Sequence, residues 1–530
     1  MKNKKSARQY EEKIKRLYSN DKEAKMSDEI KNAEEKSVQD EIEQTEDVSV
    51  NEQSSDEKVE GILGEYKGKK SAKAKKEKKK LTPEQRKKKT VKALIITGAV
   101  FLAIAIFFSG CAIATTVNTN ALLTQAKNNF QKVEYDKDAD GNSLQLKPTF
   151  DNELGFWTFT KPADREFKVL QFTDVHIGGG AFSGQKDAWA MSAVATMIRA
   201  EKPDLVVVTG DIAYPVPFQA GTFNNLNATK IFSNMMESLG VYWTFAFGNH
   251  DTELYSLYTR KDICKYYEDS NFEYCLFRAG FCDDEDVISD TSRGFGNDMI
   301  VVKNPAGSAN PINQAIVTFD SHSYTDGDYF GIAWKYDNIH QCQVDWYSES
   351  MDMLKDKNGG VEVNNLAFFH IPLVEYREAW ANVINSGTKK EKFANKEVPA
   401  NTEFKGNGST TTFIYGNMGE TDHKKNGVRT YGVFCGSSTD NLFEAGLTHG
   451  MQGIFCGHDH YNNFSVLYKR DGDSRGIRLT YGMSIDYLAY AGIYKQHSQR
   501  GTTVITINSD GVFESVPRNY YSYGVPHERD

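Results

Sequence analysis

The first 90 residues contain no tryptophan and no phenylalanine, and their only aromatics are Tyr10, Tyr18 and Tyr66. Such a segment cannot bury enough apolar surface to offset chain entropy, which predicts disorder over residues 1–92. The seven cysteines include no CxxC pair and no zinc-finger spacing, so a thiolate-built zinc module is excluded. They neither require nor exclude disulfides; Cys264, Cys275 and Cys282 lie close enough in sequence for one bridge in an oxidising exterior. No internal repeat is visible, and at 530 residues the chain is far too long for a small stapled scaffold. Charge is also missing from one stretch: the 25 residues from Ala93 to Val117 carry none.

About 20 apolar residues cross the hydrocarbon core of a bilayer, so residues 93–117 are predicted to form a transmembrane helix. A buried core helix rarely runs so far without polar interruption. A cleaved signal peptide would need a charged leader of about 90 residues, unlike the short leaders such signals have. Ser109-Gly110-Cys111 resembles the end of a lipoprotein cleavage site, but Phe108 stands where leucine is usual.

The formal net charge of -9 is a sum of opposites. Residues 1–92 hold 26 Lys+Arg and 20 Asp+Glu, net +6, leaving 37 and 52, net -15, for residues 93–530. Within the tail, Asp21 to Glu65 is acidic, whereas Lys67 to Lys92 carries 14 bases against 2 acids. A basic run directly before the apolar one places the N-terminus in the cytoplasm and residues 118–530 outside. It reads as an anchor to anionic lipid, and no nucleic-acid partner is expected.

Residues 118–160 are polar and mixed and read as a stalk; the domain proper is expected over 161–530. Apolar, β-rich runs at Lys168 to Thr173, Leu205 to Thr209 and Tyr242 to Phe247 alternate with helical spacing over Ala188 to Glu201 and Asn227 to Leu239. That cycle predicts an α/β fold with βαβ units in a mostly parallel sheet. Later strands are expected near Ala315, Leu366, Met451, Phe464 and Thr502, and a helix over Val344 to Leu354. Residues 389–425 turn polar and look like a surface insertion.

The ends of these strands share one chemistry. Asp174-Val175-His176, Gly210-Asp211, Gly248-Asn249-His250-Asp251, His370 and Gly457-His458-Asp459-His460 each follow an apolar run. In open α/β sheets the carboxyl ends of the strands form the ligand crevice. A lone aspartate after a strand is usually a helix cap, and a lone loop histidine usually a surface residue. Here, however, five of the eleven histidines fall in these clusters. Carboxylate, imidazole and one amide, without thiolate, suit two borderline divalent ions such as Mn, Fe, Zn or Ni. Two such ions can stabilise both the attacking and the leaving oxygen of a phosphate ester.

The order Asp-x-His, Gly-Asp, Gly-Asn-His-Asp, His, Gly-His-x-His resembles the motif set of the calcineurin-like metallophosphoesterases, and all five blocks are present. FFHIPLVEY (Phe368 to Tyr376), GHDHYNNF (Gly457 to Phe464) and Gly210-Asp211-Ile212-Ala213-Tyr214 are similar to the subgroup related to purple acid phosphatases. The resemblance implies a four-layer αββα sandwich and hydrolysis of phosphate mono- or diesters by a metal-bridging hydroxide. It implies Asp174, His176, Asp211 and His460 on one metal, and Asp211, Asn249, His370 and His458 on the other, with Asp211 bridging. His250 would act at the scissile phosphate as general acid or charge stabiliser, with Asp251 as its orienting partner. In true purple acid phosphatases the Tyr214 position binds ferric iron and the first motif lacks its histidine. Here both residues stand, and because an Asp-x-His pair can reach one ion from one loop, His176 is the expected ligand and Tyr214 its neighbour. Gly178-Gly179-Gly180 reads as a turn, and Asp320 and His322 as structural. The expectation is a membrane-anchored phosphoesterase; the alternative is a non-catalytic, metal-stabilised binding module on the cell envelope.

Overall fold

The computed structural model describes residues 81–282, 293–325, 328, 335–425, 428–436, 440–490, 493 and 499–525. Met1–Lys92 and Ala93–Asp530 are separate units; of residues 1–92, expected to be disordered, 1–80 lie outside the described residues, whereas 83–92 are helical instead. A single helix runs over Pro83–Asn128. Its start is capped reciprocally, Thr82 Oγ1 accepting from Gln85 N at 3.3 Å and Gln85 Oε1 from Thr82 N at 3.1 Å, with proline at the first helical position. This helix is long and apolar enough to cross a membrane, and its most apolar 18-residue window is wholly exposed.

Residues 118–160, expected as a stalk, belong largely to the packed body. Thr119, Leu122 and Ala126 are buried on the last turns of the helix, followed by Phe130 and Val133. The strands Thr149–Asp151 and Phe156–Thr160 then pair antiparallel, and the second joins Asp298–Lys303. A polar average concealed four apolar positions, Leu122, Ala126, Phe130 and Val133, at near-helical spacing.

Two mixed sheets form the body. The smaller runs Phe513–Asn519, Gly501–Ile507, Phe167–Phe172, Leu205–Thr209, Trp243–Ala246, with the last three strands parallel. The larger has ten strands in the order Thr149–Asp151, Phe156–Thr160, Asp298–Lys303, Ile312–Thr318, Asn365–Phe368, Met451–Cys456, Ile477–Tyr481, Ser465–Arg470, Ser409–Tyr415, Glu403–Lys405. The last two strands extend the sheet from within residues 389–425, so the expected surface insertion is partly structural. The sheet is mixed rather than mostly parallel: Ser465–Arg470 is antiparallel to both neighbours, and Thr149–Asp151 with Phe156–Thr160, Asp298–Lys303 with Ile312–Thr318, and Ser409–Tyr415 with Glu403–Lys405 also pair antiparallel.

Side-chain alternation along the larger sheet sets the layers. Ile300, Val302, Ile316, Leu366 and Phe368 face a core shared with the smaller sheet and the helices Gly184–Glu201 and Asn225–Leu239. Met299, Val301, Ala315, Val317 and Ala367 face a second core under the helices Gln341–Lys357 and Val374–Asn385. The order is helices, sheet, sheet, helices. In this arrangement the parallel strands Phe167–Phe172, Leu205–Thr209, Asn365–Phe368 and Met451–Cys456 direct their carboxyl ends to one edge.

Candidate metal centre

At that edge Asp174, His176, Asp211 and His460 offer ligand atoms that all lie within 4.8 Å of one another, and all four residues are buried. His460 Nε2 stands 3.2 Å from Asp174 Oδ1, and His176 Nε2 3.3 Å from Asp211 Oδ2. His370 Nε2 approaches the same Asp211 oxygen at 3.1 Å and Asn249 Oδ1 at 3.1 Å. His458 Nδ1 meets that amide oxygen at 3.0 Å. The seven residues thus form one continuous cluster with Asp211 between two histidine groups.

The backbone is bent to achieve this. Asp174, His176, Asp211 and His458 adopt φ of 50°, 54°, 55° and 77°. Left-handed conformations of non-glycine residues carry strain and gather at functional sites. Glycines let the loops close on one another: a Cβ on Gly248 would lie 2.1 Å from Asp211 Oδ1, and one on Gly210, itself at φ 86°, 2.5 Å from His370 Nδ1.

The outer nitrogens of the imidazoles are held from behind. His370 Nδ1 pairs with Thr209 O at 2.9 Å, which directs Nε2 to the centre. Asp486 Oδ2 lies 3.0 Å from His460 Nδ1, and its Oδ1 3.3 Å from His176 Nδ1. Sequence inspection missed Asp486. It follows a strand like the other site residues, at the end of Ile477–Tyr481, but is flanked by no recognisable motif. Asp486 is itself pinned, accepting from the amides of Leu488, Ala489 and Tyr490.

His250 and Asp251 separate in role. Asp251 is buried and accepts from the amides of Asp211, Ala213 and Gly248 at 3.0, 2.8 and 2.8 Å, fixing the Asp211 loop. Glu253, rather than the expected Asp251, orients His250: its Oε1 lies 2.6 Å from Nδ1. The helical turn at His250–Thr252 brings position i+3 beneath the ring and turns i+1 inward. Tyr214 donates its hydroxyl to Gln219 Oε1 at 2.8 Å, while its ring packs on His176 and His250 with centroids at 4.6 and 4.9 Å. Asp320 accepts from Arg260 and from the amides of Phe295 and His322, and Arg260 also donates to Gly248 O.

This donor set fits divalent cations. Burial pushes the Asp211 carboxyl up, but His370, His250 and His176 outweigh it and hold it well below the usual range. Burial lowers both His176 and His370, yet Asp486 and Asp211 raise the first to about 9, and Asp211 and Asp174 the second to about 9. Buried carboxylates therefore call for positive charge here, which a divalent ion held by these residues would supply in place of those protons.

The calcineurin-like phosphoesterase family model matches residues 167–462, more than half of the chain, and the chain belongs to that family. Among curated proteins it is similar to purple acid phosphatases. It is 24% identical over 350 residues to the Arabidopsis thaliana protein called probable inactive purple acid phosphatase 28, covering 62% of this chain and 72% of that one. To probable inactive purple acid phosphatase 14 of the same plant it is 26% identical over 349 residues, 62% and 73% of the two chains. Phosphatase DCR2 of Saccharomyces cerevisiae is 29% identical over 224 residues, 40% of this chain and 35% of that protein.

Proposed function

We propose that this chain is a membrane-anchored, metal-dependent phosphoesterase that hydrolyses phosphate mono- or diesters, with its N-terminus cytoplasmic and residues 118–530 outside. The observation that carries the reading is Asp211, whose Oδ2 lies 3.3 Å from His176 Nε2 and 3.1 Å from His370 Nε2. One carboxylate between two histidine groups is the arrangement a bridged metal pair requires. Asp174, His176, Asp211 and His460 would hold one ion, and Asp211, Asn249, His370 and His458 the other. Such ions, Mn, Fe, Zn or Ni, supply charge stabilisation at the phosphoryl group and lower the pKa of water.

The protein's own groups do the rest. His250 is a quarter exposed, in contrast to the fully covered His176 and His370. With Nδ1 held by Glu253, its Nε2 is left to stabilise or protonate the departing oxygen. Asn249 donates through Nδ2 to Tyr324 Oη at 2.9 Å, which keeps Oδ1 toward His370 and His458.

A second reading, a non-catalytic metal-stabilised module, draws on the names of the two Arabidopsis relatives, which call those proteins probably inactive. The retention of all seven ligand positions together with His250 favours hydrolysis. The deciding experiment supplies the full chain with Mn, Zn, Fe or Ni and follows an aryl phosphate and a bis-aryl phosphate. Turnover of either supports the enzyme; stoichiometric metal without turnover supports the module.

A further inference from the structure

We propose that the mouth of the metal centre is seated in the bilayer surface and that its substrate is a phosphate ester carried by a membrane lipid. This rests on the reading above of residues 93–117 as a membrane span and of the centre as a phosphoesterase.

The loops beside the centre are bonded to the helix at the end of its uncharged run. Thr115 Oγ1 donates to Gly221 O at 3.4 Å, Asn118 Nδ2 to Gly180 O at 3.0 Å and Ala181 O at 3.2 Å, and Thr119 Oγ1 to Gly179 O at 3.1 Å. At a rise of about 1.5 Å per residue, Thr115 lies only about 3 Å before Val117, where the run ends. Because the helix continues unbroken to Asn128 with Leu122 and Ala126 buried, no flexible linker separates these loops from the place where it leaves the hydrocarbon.

The same loops border the chemistry. Gly178-Gly179-Gly180 follows His176 directly after Ile177. Gln219 accepts the hydroxyl of Tyr214, whose ring packs on His176 and His250. These loops and the segment after His250 also display apolar side chains to solvent. Phe218 is 95% exposed, Leu254 and Leu257 65%, Phe182 51% and Phe223 43%. They are tied together, Phe182 N donating to Ala220 O and Leu257 N to Phe223 O, each at 2.9 Å. An apolar rim of this kind marks an interaction surface, and its bonds to the emerging helix make the bilayer the occupant. A lipid headgroup phosphate would then meet the centre without leaving the membrane.

The test uses the full chain, metal-loaded and reconstituted in vesicles of phosphatidylcholine with phosphatidylglycerol or phosphatidic acid. In Phe218→Trp, the emission added over the parent protein should be quenched by more than half with bromolipids; an unquenched residue overturns the proposal. In Phe218→Asp, lipid phosphate hydrolysis should fall at least tenfold while soluble aryl phosphate hydrolysis stays within twofold. Equal change of both activities, or of neither, overturns it. If the parent protein hydrolyses no aryl phosphate, the phosphoesterase reading fails by itself, and quenching still decides where the rim lies. Should Phe218→Asp fold poorly, Phe218→Ser carries the same comparison.

Discussion

Glu253 Oε1 lies 2.6 Å from His250 Nδ1, and the same oxygen accepts from Tyr324 Oη at 3.0 Å. Since that tyrosine in turn accepts from Asn249 Nδ2, a chain of three hydrogen bonds connects a candidate metal ligand to the partly exposed imidazole. Glu253→Gln is therefore expected to lower kcat for an aryl phosphate about ten- to a hundredfold, less than the 10²–10⁴ of losing proton-transfer catalysis outright, because His250 itself stays in place. Metal stoichiometry should stay unchanged, which separates orientation of His250 from loss of the centre.

Asp211→Asn removes the carboxylate shared by both histidine groups. Metal content should drop at both positions and turnover by about 10³-fold, the scale of losing an electrostatic stabiliser in a dry site. Elemental analysis of the purified variant alongside the hydrolysis assay checks it. Full metal content in the variant would contradict a bridging role.

Asp486→Asn loosens two imidazoles without touching the centre. Removing such a partner typically weakens metal affinity about 10–100-fold. The loss should be confined to the ion beside His176 and His460, because His370 is held instead by Thr209 O. Competitive chelator titration should resolve two affinities, of which one moves.

Gly248→Ala places a methyl 2.1 Å from Asp211 Oδ1 and 2.4 Å from Asp211 N. The second atom is backbone and cannot swing away. Overpacking of this kind costs about 1–3 kcal/mol, so thermal unfolding should shift down and metal affinity should fall with it.

Asp187 supplies a pH dependence. Burial raises its carboxyl from 3.8 to about 6, against the bonds from Gly178 N, Ser183 Oγ and Gly179 N. The folded state therefore holds this proton more tightly than the unfolded one, and the group's contribution falls as pH rises from about 4 to about 6. Asp187→Asn, which cannot titrate, should be less stable than the parent at pH 4, and the gap should narrow toward pH 6 in thermal melts.

Much of the site was legible in the sequence because a strand end needs no long-range information: an apolar run followed by Asp-x-His or Gly-His-x-His declares itself locally. The strands and helices that carry those motifs were readable for the same reason. Glu253 and Asp486 were not, since their partners are defined by how a turn coils at His250–Thr252 and where the loop after Ile477–Tyr481 crosses beneath two histidines. Residues 118–160 misled in the opposite direction: their polar average hid Leu122, Ala126, Phe130 and Val133, whose burial depends on a surface that only the folded body offers.

By itself the sequence determined the chemistry of the centre, the uncharged run that can span a membrane and the α/β alternation, because each is written in residue type and short-range period. Only the tertiary structure decided which carboxylate faces which imidazole and that the long apolar helix bonds directly to loops beside the centre. Those relationships join residues far apart in the chain, and packing alone brings them within hydrogen-bond distance.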